Sequence, residues 1–171
     1  MKEMTNILIT GYPRTGKTTL VMRFLKQTKK KCAGFYTEEI RNEQNIRIGF
    51  KVVGISTNQT GILAHVDVRS SYRVGKYNVN LSDFEKIALL EMKKESDIVI
   101  IDEIGKMELF SESFKNQLMK CLEQGNVFAT ITMKGGGKFV SNIKNRDDIE
   151  LIELTKSNRN LIIKTLVDRF Q

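Results

Sequence analysis

The chain of 171 residues holds one histidine, His65, and two cysteines, Cys32 and Cys121, which lie far apart. A lone histidine removes the usual Ser-His and Cys-His nucleophile arrangements and leaves too few soft ligands for a transition metal. Two distant cysteines without metal-ligand spacing argue against a disulfide framework or a zinc site, so both read as small core residues. No uninterrupted apolar stretch approaches the roughly 18 residues of a membrane span. Met1-Lys2-Glu3-Met4 leads straight into a strand-like run rather than a signal peptide, so a cytoplasmic chain with no membrane partner is expected. Long repeats and linkers are also missing. At 40% hydrophobic, residues 1–171 are read as a single domain with a sizeable core. Any catalysis must therefore use carboxylates, cationic side chains or a hard cation such as Mg²⁺.

What is present begins at residue 11. Gly11-Tyr12-Pro13-Arg14-Thr15-Gly16-Lys17-Thr18 has the G-x-x-x-x-G-K-[ST] spacing of a phosphate-binding loop. Glycines let successive backbone N–H groups turn inward around an anion, and the following helix aims its unpaired N–H groups and positive dipole end at the same point. A blind match in a chain of this length has a probability of roughly one in a hundred. Context strengthens it. Asn6-Ile7-Leu8-Ile9-Thr10 reads as a buried strand before the loop, and Leu20, Val21, Phe24 and Leu25 recur at helical spacing after it. In this pattern Lys17 reaches the outer two phosphates of a nucleotide and the Thr18 hydroxyl coordinates Mg²⁺.

Further along, Cys32 to Glu39 reads as a strand, Arg41 to Asn45 as a polar turn and Ile46 to Ile55 as a second extended run. With a short strand over Ile62 to Val68, residues 32 to 68 read as an antiparallel insertion beside a parallel sheet. Ser82-Asp83-Phe84-Glu85 has the form of a capping box and predicts a helix from Ser82, with Phe84, Ile87, Ala88 and Leu90 on its apolar face. Ile98-Val99-Ile100-Ile101 is continuous and apolar, as in a parallel strand covered on both faces. Phe114, Leu118, Cys121 and Leu122 mark another helix, ended by Gly125. A strand over Val127 to Thr132, a glycine-rich loop at Gly135-Gly136-Gly137, a short basic segment, a strand over Glu150 to Leu154 and a helix carrying Ile163, Leu166, Val167 and Phe170 complete the chain. Alternating strands and helices predict a three-layer α/β fold, with ligands beyond the carboxyl ends of its strands.

The apolar strand ends in Asp102-Glu103, the Walker B pattern. An aspartate there can hold Mg²⁺ opposite Thr18, and the adjacent glutamate can accept a proton from, or orient, a water attacking the γ-phosphate. Residues 98 to 108, from Ile98 to Glu108, also carry a family resemblance. Together with the phosphate loop, Gly34-Phe35-Tyr36-Thr37-Glu38-Glu39, Arg47-Ile48-Gly49-Phe50, Val74-Gly75-Lys76-Tyr77, Asn145-Arg146 and Thr155-Lys156-Ser157-Asn158-Arg159, they make the chain resemble the THEP-type nucleoside-triphosphatases over nearly its full length. The resemblance implies a P-loop NTPase fold and slow, Mg²⁺-dependent hydrolysis of several nucleoside triphosphates to diphosphate and phosphate, with little base preference. It also implies nucleotide contacts from residues 11 to 18 and 98 to 105, including Gly105. Family members commonly carry glycine at Arg14; an arginine there implies an ordinary backbone or a strained loop. Arg14 is either a solvent-facing side chain or a group that neutralises the γ-phosphate in cis.

Softer candidates surround this core. Thr132 is read as a packing residue, with a hydrogen bond to γ-phosphate or water as the alternative. Arg47, Arg146 and Arg159 lie in family-like stretches and are candidates for a finger or base contact. Glu38 and Glu39 either approach the metal or keep a strand soluble, and Gly135 to Lys138 form a lid or a flexible loop. The net charge of +8 leaves nucleic acid possible as a partner, but no recognised nucleic-acid module is present. A monomer is favoured. The competing activities are a nucleotide or polynucleotide kinase, against which the Glu103 carboxylate weighs, and an RNA-stimulated NTPase switch.

Overall fold

The computed structural model describes residues 6–171. Its elements run β1 (Asn6–Thr10), α1 (Lys17–Gln27), β2 (Cys32–Arg41), β3 (Arg47–Gly54), β4 (Thr60–His65), β5 (Arg73–Val74), β6 (Tyr77–Val79), α2 (Leu81–Met92) and β7 (Ile98–Ile104). There follow α3 (Glu112–Gln124), β8 (Val127–Ile131), α4 (Gly137–Lys144), β9 (Ile149–Glu153) and α5 (Arg159–Arg169). All nine strands share one sheet in the order β5-β6-β4-β3-β2-β7-β8-β1-β9. Strands β2, β7, β8, β1 and β9 are mutually parallel, whereas β3 to β6 pair antiparallel. The antiparallel part is thus a wing of the same sheet, with β2 paired both ways. It extends to Val79, because β5 and β6 add a small hairpin that two- and three-residue strands leave without a readable period.

Alternation along the parallel strands divides the core. Leu8, Val99, Ile101, Val127 and Ala129 face one side, where α2, α3 and α4 supply Phe84, Phe114, Leu118 and Val140. Ile7, Ile9, Ile98, Ile100 and Phe128 face the other, against Val21 and Phe24 of α1 and Ile163 and Leu166 of α5. Burying both faces is why these strands are continuous apolar runs rather than half-polar ones. Cys121 joins the core, but Cys32 is only half-buried at the start of β2.

Several boundaries differ from the sequence pattern. Helix α2 is capped by Asn80, whose side chain accepts from the Asp83 N–H, and not by Ser82. The proposed reciprocal partner Glu85 instead accepts from the Ser111 hydroxyl, and Asp83 accepts from the Ile62 N–H. Strand β4 ends at His65, short of Val68, and β7 continues through Asp102 and Glu103 to Ile104 with a register shift against β8. The short basic segment after the glycines is helix α4, whose Val140 and Ile143 are buried. Eight residues provide too few turns for a clear helical period.

Gly34 shows why glycine stands in β2. A Cβ there would lie 1.9 Å from the Ile100 carbonyl oxygen, so the contact with β7 admits no side chain.

Candidate active site

The carboxyl ends of β1, β7 and β8 open on one cleft of about 960 Å³. The phosphate loop forms its floor. Thr15 closes the loop's turn, with both its N–H and its hydroxyl donating to the Tyr12 carbonyl. Gly16 caps α1 at φ 96°, a conformation that favours glycine, and its carbonyl accepts from Leu20 N–H. Arg14 has φ 66°, so the departure from glycine puts an L side chain in the left-handed region: the loop is strained there. The Arg14 side chain is exposed at the cleft. Lys17 spans the loop, its ammonium donating to the Gly11 carbonyl at 2.7 Å.

Opposite the loop lie three acids. Asp102 is 2% exposed; its Oδ1 accepts from the Thr130 hydroxyl at 2.6 Å, and its Oδ2 has no hydrogen-bond partner. Burial pushes its carboxyl up, and the Thr130 and Thr18 hydroxyls and the Lys17 ammonium only partly offset this. Burial also raises Glu103, the charge of Asp102 adds to that, and Lys17 opposes it. Glu108, on the 3₁₀ turn after β7, is raised well above the ordinary carboxylate range, first by burial and then by the charge of Glu103. Its Oε2 is likewise without a partner. Sequence patterning gave Glu108 no role; the signal was an acid set between Met107 and Leu109, where an apolar residue would pack.

Of the residues singled out by motif, Gly11, Tyr12, Pro13, Arg14, Gly16, Lys17, Thr18, Asp102 and Glu103 all line this cleft. Thr15 and Gly105 do not. Thr15 is turned into the loop, and Gly105 lies behind Glu103, where a Cβ would stand 2.7 Å from Glu103 Oε1. Thr132 lies on the cleft wall, with its hydroxyl donating to the Lys134 carbonyl rather than packed in the sheet. Lys134 places its ammonium 5.8 Å from the centre of the exposed Tyr12 ring.

The three arginines separate. Arg47 bonds to Glu39 and the Tyr77 hydroxyl, and Arg146 pairs with Asp148 through two hydrogen bonds. Arg159 lies against Gly16 of the phosphate loop. Glu38, beside the cleft, forms an ion pair with Lys51 at 2.9 Å. The residues Gly135, Gly136 and Gly137 have φ of 83°, 81° and 62°, a run that favours glycine throughout.

The donors suit a hard cation. Asp102 Oδ2 is a buried carboxylate oxygen without a close hydrogen-bond partner, and with the nearby Thr18 hydroxyl oxygen it makes an all-oxygen pair of the type Mg²⁺ accepts. Among the described residues no group of three or more His, Cys, Asp or Glu is placed to hold a metal.

A phosphate loop joined to a buried acid on a parallel sheet defines the P-loop NTPase class, and comparison with known proteins narrows it. The NTPase family model matches residues 6–167. Nucleoside-triphosphatase THEP1 from Thermotoga sp. (strain RQ2) is 46% identical, over 94% of this chain and 92% of its own. The crystal structure of THEP1 from Aquifex aeolicus matches with a TM-score of 0.89 at 33% identity, covering 98% of this chain and 99% of that one. The solution structure of a human cancer-related nucleoside triphosphatase gives 0.82 at 35% identity, covering 98% and 97%. The chain belongs to the THEP1-type nucleoside-triphosphatase family. No helix among the described residues is long and apolar enough to cross a membrane.

Proposed function

We propose that this protein hydrolyses nucleoside triphosphates, ATP and GTP among them, to the diphosphate and phosphate with Mg²⁺ and little base preference. The observation that carries the reading is the meeting of Lys17 and the Asp102-Glu103 pair in one cleft at the carboxyl edge of the sheet. Backbone N–H groups of Gly11 to Thr18 bind the phosphate tail, and Lys17 exchanges its contact with the Gly11 carbonyl for β- and γ-phosphate oxygens. Thr18 and Asp102 hold the cation, which when bound neutralises charge on those oxygens. Glu103 orients the attacking water and takes its proton as the new P–O bond forms and the bond to the leaving diphosphate breaks. Partial burial supports that role, because a carboxylate of raised pKa is the better base. No covalent intermediate is required; positioning and charge stabilisation supply the acceleration.

The test is phosphate release from ATP and GTP in parallel, without an added acceptor, in Mg²⁺ and then in excess EDTA. Release with both nucleotides that EDTA abolishes is expected. Glu103→Gln should retain nucleotide binding while kcat falls by about a thousandfold. Strict dependence on a nucleoside or polynucleotide acceptor would overturn hydrolysis in favour of a kinase, and normal turnover by Glu103→Gln would remove it as the base.

A further inference from the structure

Hydrolysis fixes the direction of the substrate. The attacking and leaving oxygens of a phosphoryl transfer lie roughly in line, so the nucleoside must extend away from the residue that orients the water. Glu103 stands on β7, and the sheet order β7-β8-β1-β9 places the phosphate loop between β7 and β9. At about 4.8 Å per strand, β7 is roughly 10 Å from β1 on one side, with β9 adjacent on the other. A triphosphate whose γ end faces β7 therefore carries its sugar and base over the carboxyl end of β9.

The segment after β9 is built against the phosphate loop. Leu154 N–H donates to the Thr10 carbonyl at 2.8 Å, and a Cβ on Gly11 would stand 2.8 Å from the Leu154 carbonyl oxygen. Asn158 folds the segment back: its Oδ1 accepts from Thr155 N–H at 2.7 Å, and its Nδ2 donates to the Glu153 carbonyl at 2.9 Å. This sets Arg159 over the loop's last glycine. A Cβ on Gly16 would lie 3.2 Å from Arg159 Nη1 and 3.4 Å from its Cδ. Among the described residues, Arg159 has no carboxylate partner, and its one hydrogen bond is a long contact of 3.5 Å from Nε to the Lys156 carbonyl. Arg47 and Arg146, which share its sequence signal, are both held by carboxylates.

We propose that Thr155 to Arg159 form the nucleoside seat, with the guanidinium plane of Arg159 covering the face of the base. The assignment rests on the hydrolase reading only for the direction of the nucleotide. A planar cation stacks on any base because every base presents a π face, so this seat holds nucleosides without reading their edges. That supplies a physical origin for broad base tolerance.

The experiment compares binding of Mg²⁺-ATP and of Mg²⁺-tripolyphosphate, which lacks the nucleoside, by isothermal titration calorimetry. Arg159→Ala should weaken ATP about tenfold, and GTP, CTP and UTP comparably, while shifting tripolyphosphate less than about twofold. Arg159→Lys keeps the charge without the plane and should resemble Arg159→Ala toward ATP. Equal weakening toward ATP and tripolyphosphate would make Arg159 a phosphate contact and overturn the proposal, as would no change toward either, recovery by lysine, or a loss confined to one base. These titrations read affinity, so a wild-type protein that bound but did not hydrolyse ATP would sink the hydrolase reading while the comparison still judged Arg159.

Discussion

Glu91 and Asp102 are both buried acids of one sheet-and-helix framework, and their surroundings are opposites. Glu91, on α2 against the base of the antiparallel wing, receives the N–H groups of Gly34, Ser56 and Thr57 and the hydroxyls of Ser56 and Thr57. Burial alone would raise its carboxyl, but these donors override it and hold the group below its ordinary value. Asp102, at the cleft, has one close hydrogen bond, from the Thr130 hydroxyl to Oδ1; the Thr18 hydroxyl, the Thr37 N–H and the Lys17 ammonium favour its charged form too weakly to offset burial, and its carboxyl is raised. The first arrangement spends its donors on closing the fold. The second leaves a carboxylate oxygen without a close partner at the cleft, as does Glu108, whose Oε2 is likewise unpartnered.

Three substitutions sharpen this contrast. Asp102→Asn has the largest expected effect: on the proposed mechanism, in which this carboxylate would hold the cation, it should lower kcat/KM by about a thousandfold. It should also raise stability by about 1 kcal/mol in urea unfolding. The sign follows from linkage. A carboxyl raised in the folded state costs stability as pH rises above its unfolded value near 4, and the amide removes that cost. Loss of stability together with activity would show that Asp102 is structural.

Glu91→Gln should act the other way, lowering unfolding free energy by about 3 kcal/mol because an amide nitrogen is set among donors. Because the folded carboxyl is depressed, its stabilisation is fully present above the unfolded value of about 4.3 and is lost as pH falls through the folded one. The gap between wild type and variant should therefore be wide at pH 7 and narrow in acid, measured by thermal melts; a gap independent of pH would refute the account.

Arg14→Gly is expected to have the smallest effect, a gain of about 1 kcal/mol from relief of the positive φ, with turnover changed by less than about threefold. A fall in kcat beyond tenfold would instead place the guanidinium on the γ-phosphate.

How far the residues announce this structure depends on the range of the interaction. The loop from Gly11 to Thr18, the strands of β1, β7 and β8 and the helix carrying Phe114, Leu118, Cys121 and Leu122 are legible because spacing and apolar period are local properties. Ser82 mimics a capping box yet yields to Asn80, and the β5–β6 hairpin has strands too short to show alternation. Glu108 looked like part of a motif; burial among Glu103 and Asp102 gives it its character.

The amino-acid order alone determined that the chain makes a glycine-bounded turn between strand and helix, a strand ending in acids and an α/β alternation, since each is written in neighbours a few residues apart. Only the tertiary structure decided that β8 stands between the loop and the acids, that β2 turns a parallel sheet into an antiparallel wing, and that Arg159 rather than Arg47 or Arg146 rests on Gly16. The reason is physical: local spacing sets backbone conformation, whereas the approach of distant segments, such as Arg159 to Gly16, depends on which strand edges and helices are brought side by side.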